Sequence, residues 1–157
     1  MKIKFIFPLI ALCALLSSCK ENMHIQPPAP TPQKTDSMFV LVIQGDTFMA
    51  TMSDNSTAEA FAEMMPLTLN MSDLNANEKY IYIDEKLPTK PVAVRTVQTG
   101  DIMLYGTSCI VLFYKDLTTP YEYTKIGHIT KTAGLQEAVG AGNVDVMFDV
   151  IAVEEEE

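Results

Sequence analysis

Apolar side chains recur at every second position in most of the segments between residues 38 and 150. The alternation is regular at Val144, Val146, Phe148 and Val150. A period of two puts all the apolar side chains of a strand on one face, so this pattern is typical of a β-strand with one buried side. The chain is therefore predicted to be mainly β.

Eight short segments carry strand patterns, and one of them, 109–114, is a continuous apolar run typical of a strand buried on both faces. The predicted strands are 39–43, 47–52, 67–72, 79–83, 102–105, 109–114, 126–129 and 144–150. Closing such strands into a ring removes exposed edges. We therefore expect a closed antiparallel β-barrel of about eight strands with one or two short helices.

The predicted helices span 57–65 and 135–139. Asp54, Asn55 and Ser56 offer N-cap side chains before the first helix, and Ser56 forms a capping-box pattern with Glu59. Pro66 ends the helix. Strand 79–83 leaves one question open. Its tyrosines share one face and its isoleucines the other, so either an aromatic surface stripe or an amphipathic interior is compatible with the pattern.

The charge balance argues against polyanionic partners. The 157 residues include 11 basic and 20 acidic side chains, for a net charge of −9. An acidic chain gains nothing from counterion release on a phosphate backbone and is repelled by anionic lipid headgroups. We expect no nucleic-acid partner.

The N-terminus indicates export. Lys2 and Lys4 precede an apolar run over 5–16, whose helical length of about 18 Å is too short for the roughly 30 Å hydrocarbon core. Residues 1–18 are thus predicted to be a signal peptide. Leu16-Ser17-Ser18-Cys19 resembles a bacterial lipobox, which implies acylation of Cys19, whereas cleavage elsewhere would release a soluble exported protein.

Acylation would anchor the chain in a lipid bilayer, and Lys20, rather than an inner-membrane Asp signal, favours the outer membrane. Residues 19–37 carry four prolines and read as an extended tether, with a P-x-x-P ligand as the alternative. The folded domain is predicted to span 38–153, and residues 154–157 form an acidic tail. Cys109 is then expected to be a buried, unpaired thiol.

The order of elements resembles that of cyclophilins. More closely, D-N-x-T-A-x-x-F-x-x-x-x-P-L-T-L over 54–69, N-E-K-Y over 77–80 and G-D-I-x-L-Y over 100–105 are similar to bacterial cyclophilin-like domain proteins of unknown activity. The resemblance covers nearly all of 38–153 and implies a cyclophilin-like barrel.

The residues that carry prolyl isomerisation in cyclophilins are not matched. Their arginine lies in a Phe-His-Arg segment on the strand after the first helix, where this chain has Leu67-Thr68-Leu69-Asn70-Met71. The only arginine is Arg95, in the connecting stretch. A divergent peptidyl-prolyl isomerase would have to use it from another loop.

The sequence lacks the residue patterns that other common chemistries require. With His24 and His128 as the only histidines, a multi-histidine metal site is excluded, and neither a nucleophile elbow nor a complete dinucleotide loop is present. We predict no cofactor, no metal and no catalytic residue. A polar and aromatic set could instead bind a peptide or small polar ligand, or serve only in packing and turns. Its members are Glu78, Tyr80, Tyr82, Arg95, Asp101, Tyr105 and Tyr114.

The sequence thus favours a membrane-tethered, non-catalytic cyclophilin-like binding or interaction module of the bacterial cell envelope. A divergent prolyl isomerase and a purely structural role are the alternatives.

Overall fold

The computed structural model describes residues 37–151. The predicted signal peptide, Cys19 with its predicted acylation, all but the last residue of the predicted tether and the acidic tail 154–157 lie outside these residues. Within 37–151, no helix is long and apolar enough to cross a bilayer.

The described chain consists of eleven strands and two short helices. Their bounds are β1 Met38–Ile43, β2 Asp46–Met52, α1 Ser56–Ala62, β3 Leu67–Leu74, β4 Glu78–Tyr82, β5 Val92–Ala93, β6 Thr96–Val97, β7 Asp101–Tyr105, β8 Cys109–Phe113, β9 Leu117–Thr118, β10 Glu122–Ile129, α2 Leu135–Val139 and β11 Val144–Val150.

Eight of these strands form a closed antiparallel barrel in the order β2-β1-β11-β3-β4-β8-β7-β10, and β10 pairs back onto β2. These eight are the strands that the sequence predicts. The three remaining strands have two residues each: β5 extends the sheet beside β10, and β6 pairs with β9. The sequence does not predict them, because two residues are too few to show a period.

The barrel closes where β10 lies between β2 and β7, and Gly127 is at that seam. It faces Met52 on one side and Ile102 on the other, where the register with β7 shifts by one residue. A Cβ at Gly127 would lie 2.6 Å from the Thr51 carbonyl oxygen and 2.8 Å from the Phe39 ring. Only glycine allows this close approach.

The barrel interior is the main core. Fully buried aromatic side chains of β1, β11 and α1 meet there, with the Phe61 and Phe148 rings 5.3 Å apart and nearly perpendicular. Ile81 and Ile83 pack against this core. Tyr80 belongs instead to a smaller cluster with Val111, Phe113 and Tyr123 on the opposite face of these strands. This placement decides the open question for β4: its isoleucines point inward and its tyrosines outward.

The first helix differs from its prediction at both ends. Asn55, not Ser56, is the N-cap: its side-chain oxygen accepts a hydrogen bond from the Ala58 amide at 2.9 Å. Its amide group also donates to the Lys125 carbonyl on β10, at 2.9 Å. The Asn55 side chain has a separate donor and acceptor for these two hydrogen bonds, whereas the single hydroxyl of a serine would have to serve both. The helix ends at Ala62, before the predicted Met65.

Candidate functional site

A groove on the outer face of the barrel is lined mainly by tyrosines. Its volume is about 330 Å³, at the lower end of ligand pockets. The lining residues are Leu74, Glu78, Tyr80, Tyr82, Tyr105, Cys109, Val111, Tyr121 and Tyr123. Five of the six tyrosines of the chain are therefore in one place. We call it the tyrosine groove.

Strand alternation and register bring these side chains together. Tyr80 and Tyr82 are two residues apart on β4, so they face the same way. On the neighbouring strand β8, Val111 is opposite Tyr80 and Cys109 is opposite Tyr82. Across β8, Tyr105 of β7 is also opposite Cys109. Strand β8 thus provides an apolar floor between two aromatic walls.

Each wall is a set of rings in contact. In the β4 wall, the Tyr80 and Tyr82 centroids are 6.3 Å apart with the rings nearly perpendicular. In the other wall, Tyr105 lies 5.7 Å from both Tyr121 and Tyr123. These separations lie in the range in which aromatic pairs are favourable. The walls are therefore packed before any ligand binds.

Within residues 37–151, the groove lining contains one carboxyl group, that of Glu78. Burial raises the pKa of the Glu78 carboxyl, and burial also raises the pKa of the Cys109 thiol and of the Tyr123 hydroxyl. Thiol and phenol groups with raised pKa values stay neutral. Among residues 37–151, no lysine, arginine or histidine belongs to the lining.

Four of the seven residues predicted for ligand binding lie in this groove: Glu78, Tyr80, Tyr82 and Tyr105. The other three, Arg95, Asp101 and Tyr114, lie elsewhere, so the seven do not form a single site.

Arg95 is on an exposed bend between β5 and β6. Its backbone has a φ of 59°, and its carbonyl accepts a hydrogen bond from the Thr119 amide at 2.8 Å. Its side chain has no hydrogen bond or ion pair within residues 37–151 and does not line the groove. The isomerase alternative therefore finds no arginine beside the tyrosines.

Asp101 stabilises the start of β7. One carboxylate oxygen accepts a hydrogen bond from the Gln98 amide at 2.9 Å. The other lies 3.0 Å from both Lys125 Nζ and His128 Nδ1. Asp101 is buried, and its contacts tie a turn to β10. This matches the turn role that the sequence analysis left as an alternative.

Tyr114 belongs to a buried polar cluster near the loop after α2. Its hydroxyl donates to Asp73 Oδ2 at 2.7 Å, and Lys79 Nζ donates to the same oxygen at 2.8 Å. Burial and this bond to Asp73 raise the pKa of Tyr114. Lys79 is fully buried and also donates to the Gly140 and Gly142 carbonyls, at 2.8 and 2.7 Å. All three ammonium donors of Lys79 are satisfied, so the cluster is structural.

The sequence prediction omitted Tyr121 and Tyr123. They lie before the segment that was predicted as a strand at 126–129, whereas β10 begins at Glu122. A signal was present: Tyr121 and Tyr123 repeat the two-residue spacing of Tyr80 and Tyr82. Among the described residues, no group of three or more His, Cys, Asp or Glu side chains could hold a metal ion.

The model of the Cyclophilin-like family matches residues 41–149, from β1 to β11. The chain belongs to the Cyclophilin-like family. The resemblance drawn from the 54–69 and 100–105 motifs is confirmed at this level, and so is the cyclophilin-like barrel.

Two further comparisons bear on the cyclophilin-like domain. Comparison with curated proteins gives no match. Among solved structures, the solution structure of a hypothetical protein from Archaeoglobus fulgidus matches with a TM-score of 0.51 and 17% identity. The alignment covers 76% of this chain and 98% of that one. At 17% identity, this similarity supports a shared fold alone.

Proposed function

We propose that this chain is a membrane-tethered, non-catalytic binding module of the bacterial cell envelope, anchored through acylated Cys19. Its binding surface is the tyrosine groove, which takes a peptide or a small polar ligand. The tether and the outer-membrane location rest on the signal sequence, the lipobox and Lys20.

The observation that carries the binding role is the exposure of the groove tyrosines. Tyr82, Tyr105 and Tyr121 are 65%, 40% and 56% exposed. They surround half-buried Tyr80 and buried Tyr123. Grouped aromatic rings left open to solvent favour an interaction surface, because each ring offers a flat apolar face and a hydroxyl.

The lining also supports a role without catalysis. A prolyl isomerase must lower a barrier of roughly 18–20 kcal/mol, and a cyclophilin does so with an arginine at the prolyl nitrogen. The groove lining contains no cationic side chain. The described chain therefore offers surface for binding but no cationic group in the groove to polarise the amide as the cyclophilin arginine does.

A titration tests the proposal. The mature chain, residues 19–157 with Cys19→Ser, is labelled with ¹⁵N and mixed with blocked Ala-Xaa-Ala tripeptides and a short Ala-Pro peptide. We expect saturable shift changes at Tyr80, Tyr82 and Tyr105 with at least one tripeptide. We expect no catalysed cis/trans exchange of the Ala-Pro peptide.

Two variants locate the binding. Tyr82→Ala removes an exposed groove ring and should weaken binding roughly tenfold. Met49→Ala removes an exposed side chain of β2, which is 44% exposed and does not line the groove, and should have no effect. Catalysed exchange that is lost in Arg95→Ala would replace the proposal with the isomerase. No shift changes with any tripeptide would overturn the binding role.

A further inference from the structure

The tyrosine groove has a distinctive charge pattern: one carboxylate among aromatic rings, with no cation of its own. Glu78 is half-buried and is the only acidic member of the lining. It has no hydrogen bond or ion pair with any side chain in the described part of the chain. Carboxylates that lose solvent on folding are ordinarily paired, so Glu78 lacks the partner that its burial would favour.

The pKa of Glu78 supports this picture, because burial raises it and no cation within residues 37–151 lowers it again. A bound cation would supply the missing compensation. The opposite charge next to the carboxylate would favour its ionised form, and the carboxylate would hold the ligand in return.

The aromatic walls favour the same kind of ligand. The face of a tyrosine ring carries negative electrostatic potential and attracts a cation within about 6 Å of the ring centroid. Together the two walls hold five such rings, two on one side of the β8 floor and three on the other. An alkyl chain attached to the cation would find Leu74 and Val111 at the same surface.

The other ligand classes fit less well. An anion would meet the Glu78 carboxyl, which repels it when ionised, and no cation of the described lining to pair with. A neutral apolar ligand would bury Glu78 further without pairing it, which costs free energy. The net charge of −9 adds a long-range attraction for cations.

We infer that the tyrosine groove binds an organic cation, an alkylammonium or guanidinium group on a short apolar stem, with Glu78 as its counter-ion. The inference rests on the proposed binding function and names the ligand class. A lysine or arginine side chain of a peptide and a free small amine share this chemistry.

The test compares cations with neutral isosteres on residues 19–157 carrying Cys19→Ser. Blocked Ala-Lys-Ala and Ala-Arg-Ala are titrated against the same peptides with norleucine for lysine and citrulline for arginine, and dissociation constants are measured from groove resonances. We expect the cationic peptides to bind roughly tenfold more tightly. Free n-butylammonium forms a further arm: binding as tight as that of Ala-Lys-Ala assigns the cation to a free amine, and weaker binding assigns it to a peptide.

Matched variants separate the local carboxylate from the overall charge. Glu78→Gln should abolish the preference for cations while leaving the binding of the neutral peptides unchanged. Glu122→Gln removes a carboxylate from an exposed position on β10 that does not line the groove. It should leave the preference intact.

Three results would overturn the inference. Equal binding of the cationic peptides and their neutral isosteres would show that the groove does not prefer cations. The proposed binding function would still hold. An equal loss in Glu78→Gln and Glu122→Gln would assign the preference to net charge rather than to the groove. No shift at groove resonances with any of these ligands would overturn the ligand class and, if the remaining tripeptides also fail, the binding function too.

Discussion

At the scale of single residues, Asp73 is the acceptor around which the buried polar cluster is arranged. It accepts hydrogen bonds from Lys79, Tyr114 and the Ala76 amide. The bonds from Lys79 and Tyr114 lower the pKa of Asp73 to about 2, from its ordinary value of 3.8. The folded state thus favours the carboxylate over the carboxylic acid, and this preference links stability to pH.

The direction of the pH dependence follows from the lowered pKa of Asp73. The contribution of Asp73 is fully present above its unfolded pKa of 3.8, and it is lost as the pH falls towards about 2. Asp73→Asn should lower the free energy of unfolding at pH 7 by about 1.5–3 kcal/mol, because hydrogen bonds to a charged group are lost. The difference between wild type and variant should shrink between pH 4 and pH 2.

Urea unfolding at pH 7, 4, 3 and 2 measures this difference. Asp84→Asn is the control, since Asp84 is exposed and makes no hydrogen bond or ion pair within residues 37–151. A wild-type-minus-variant difference that stays constant from pH 7 to pH 2 would contradict the role given to Asp73.

At the scale of elements, the cap of α1 joins the helix to the barrel. Asn55 accepts from the Ala58 amide and donates to the Lys125 carbonyl of β10. Asn55→Ala should lower the free energy of unfolding by about 1–2 kcal/mol, because it removes the cap and the tie to β10. The midpoint of urea unfolding measures the effect.

Ser56→Ala is the matched control. The capping-box pattern assigned the cap to Ser56, but in the structure Ser56 is the first helical residue. Its replacement should change the free energy by less than about 0.5 kcal/mol. A larger loss in Ser56→Ala than in Asn55→Ala would restore the capping box.

The elements show what the sequence can predict. The barrel strands follow from alternation, except β8, which follows from its continuous apolar run, and β11 and α2 have the predicted bounds. The end of α1 does not follow, because Met64 and Met65 continue the apolar face after the helix has ended at Ala62. Alternation alone also cannot say which face of β4 is inside, since that depends on Ile81 packing in the core and on both faces of β8 being buried.

The tyrosine groove was predictable only in part for the same reason. Glu78, Tyr80 and Tyr82 share a face by local spacing, but Tyr121 and Tyr123 join them only because β10 runs beside β7. The pairing of β10 with β7 is set by the order of strands in the barrel, and a local sequence pattern does not predict that order. Asp101 and Tyr114 were predicted for the same site from their residue types, but in the structure they make stabilising contacts elsewhere.

At the scale of the whole molecule, the proposed anchor predicts where the chain resides. Cys19→Ala should abolish palmitate incorporation, because it removes the thiol that would carry the acyl chain. Expression with labelled palmitate in a bacterium that matures lipoproteins measures this. Cys13→Ala changes a cysteine within the predicted signal peptide and should leave the incorporation unchanged. Palmitate incorporation into Cys19→Ala would refute the lipid anchor.

The closure of the barrel at β2 and β10 has a consequence for how a peptide can be recognised. Many domains bind extended peptides by β-augmentation, in which the ligand becomes one more strand at a free sheet edge. Each of the eight barrel strands already has a neighbour on both sides. A peptide on the tyrosine groove would therefore lie on the face of the barrel strands and be held by side chains. Its affinity should depend on the identity of its residues far more than on the hydrogen-bonding capacity of its backbone.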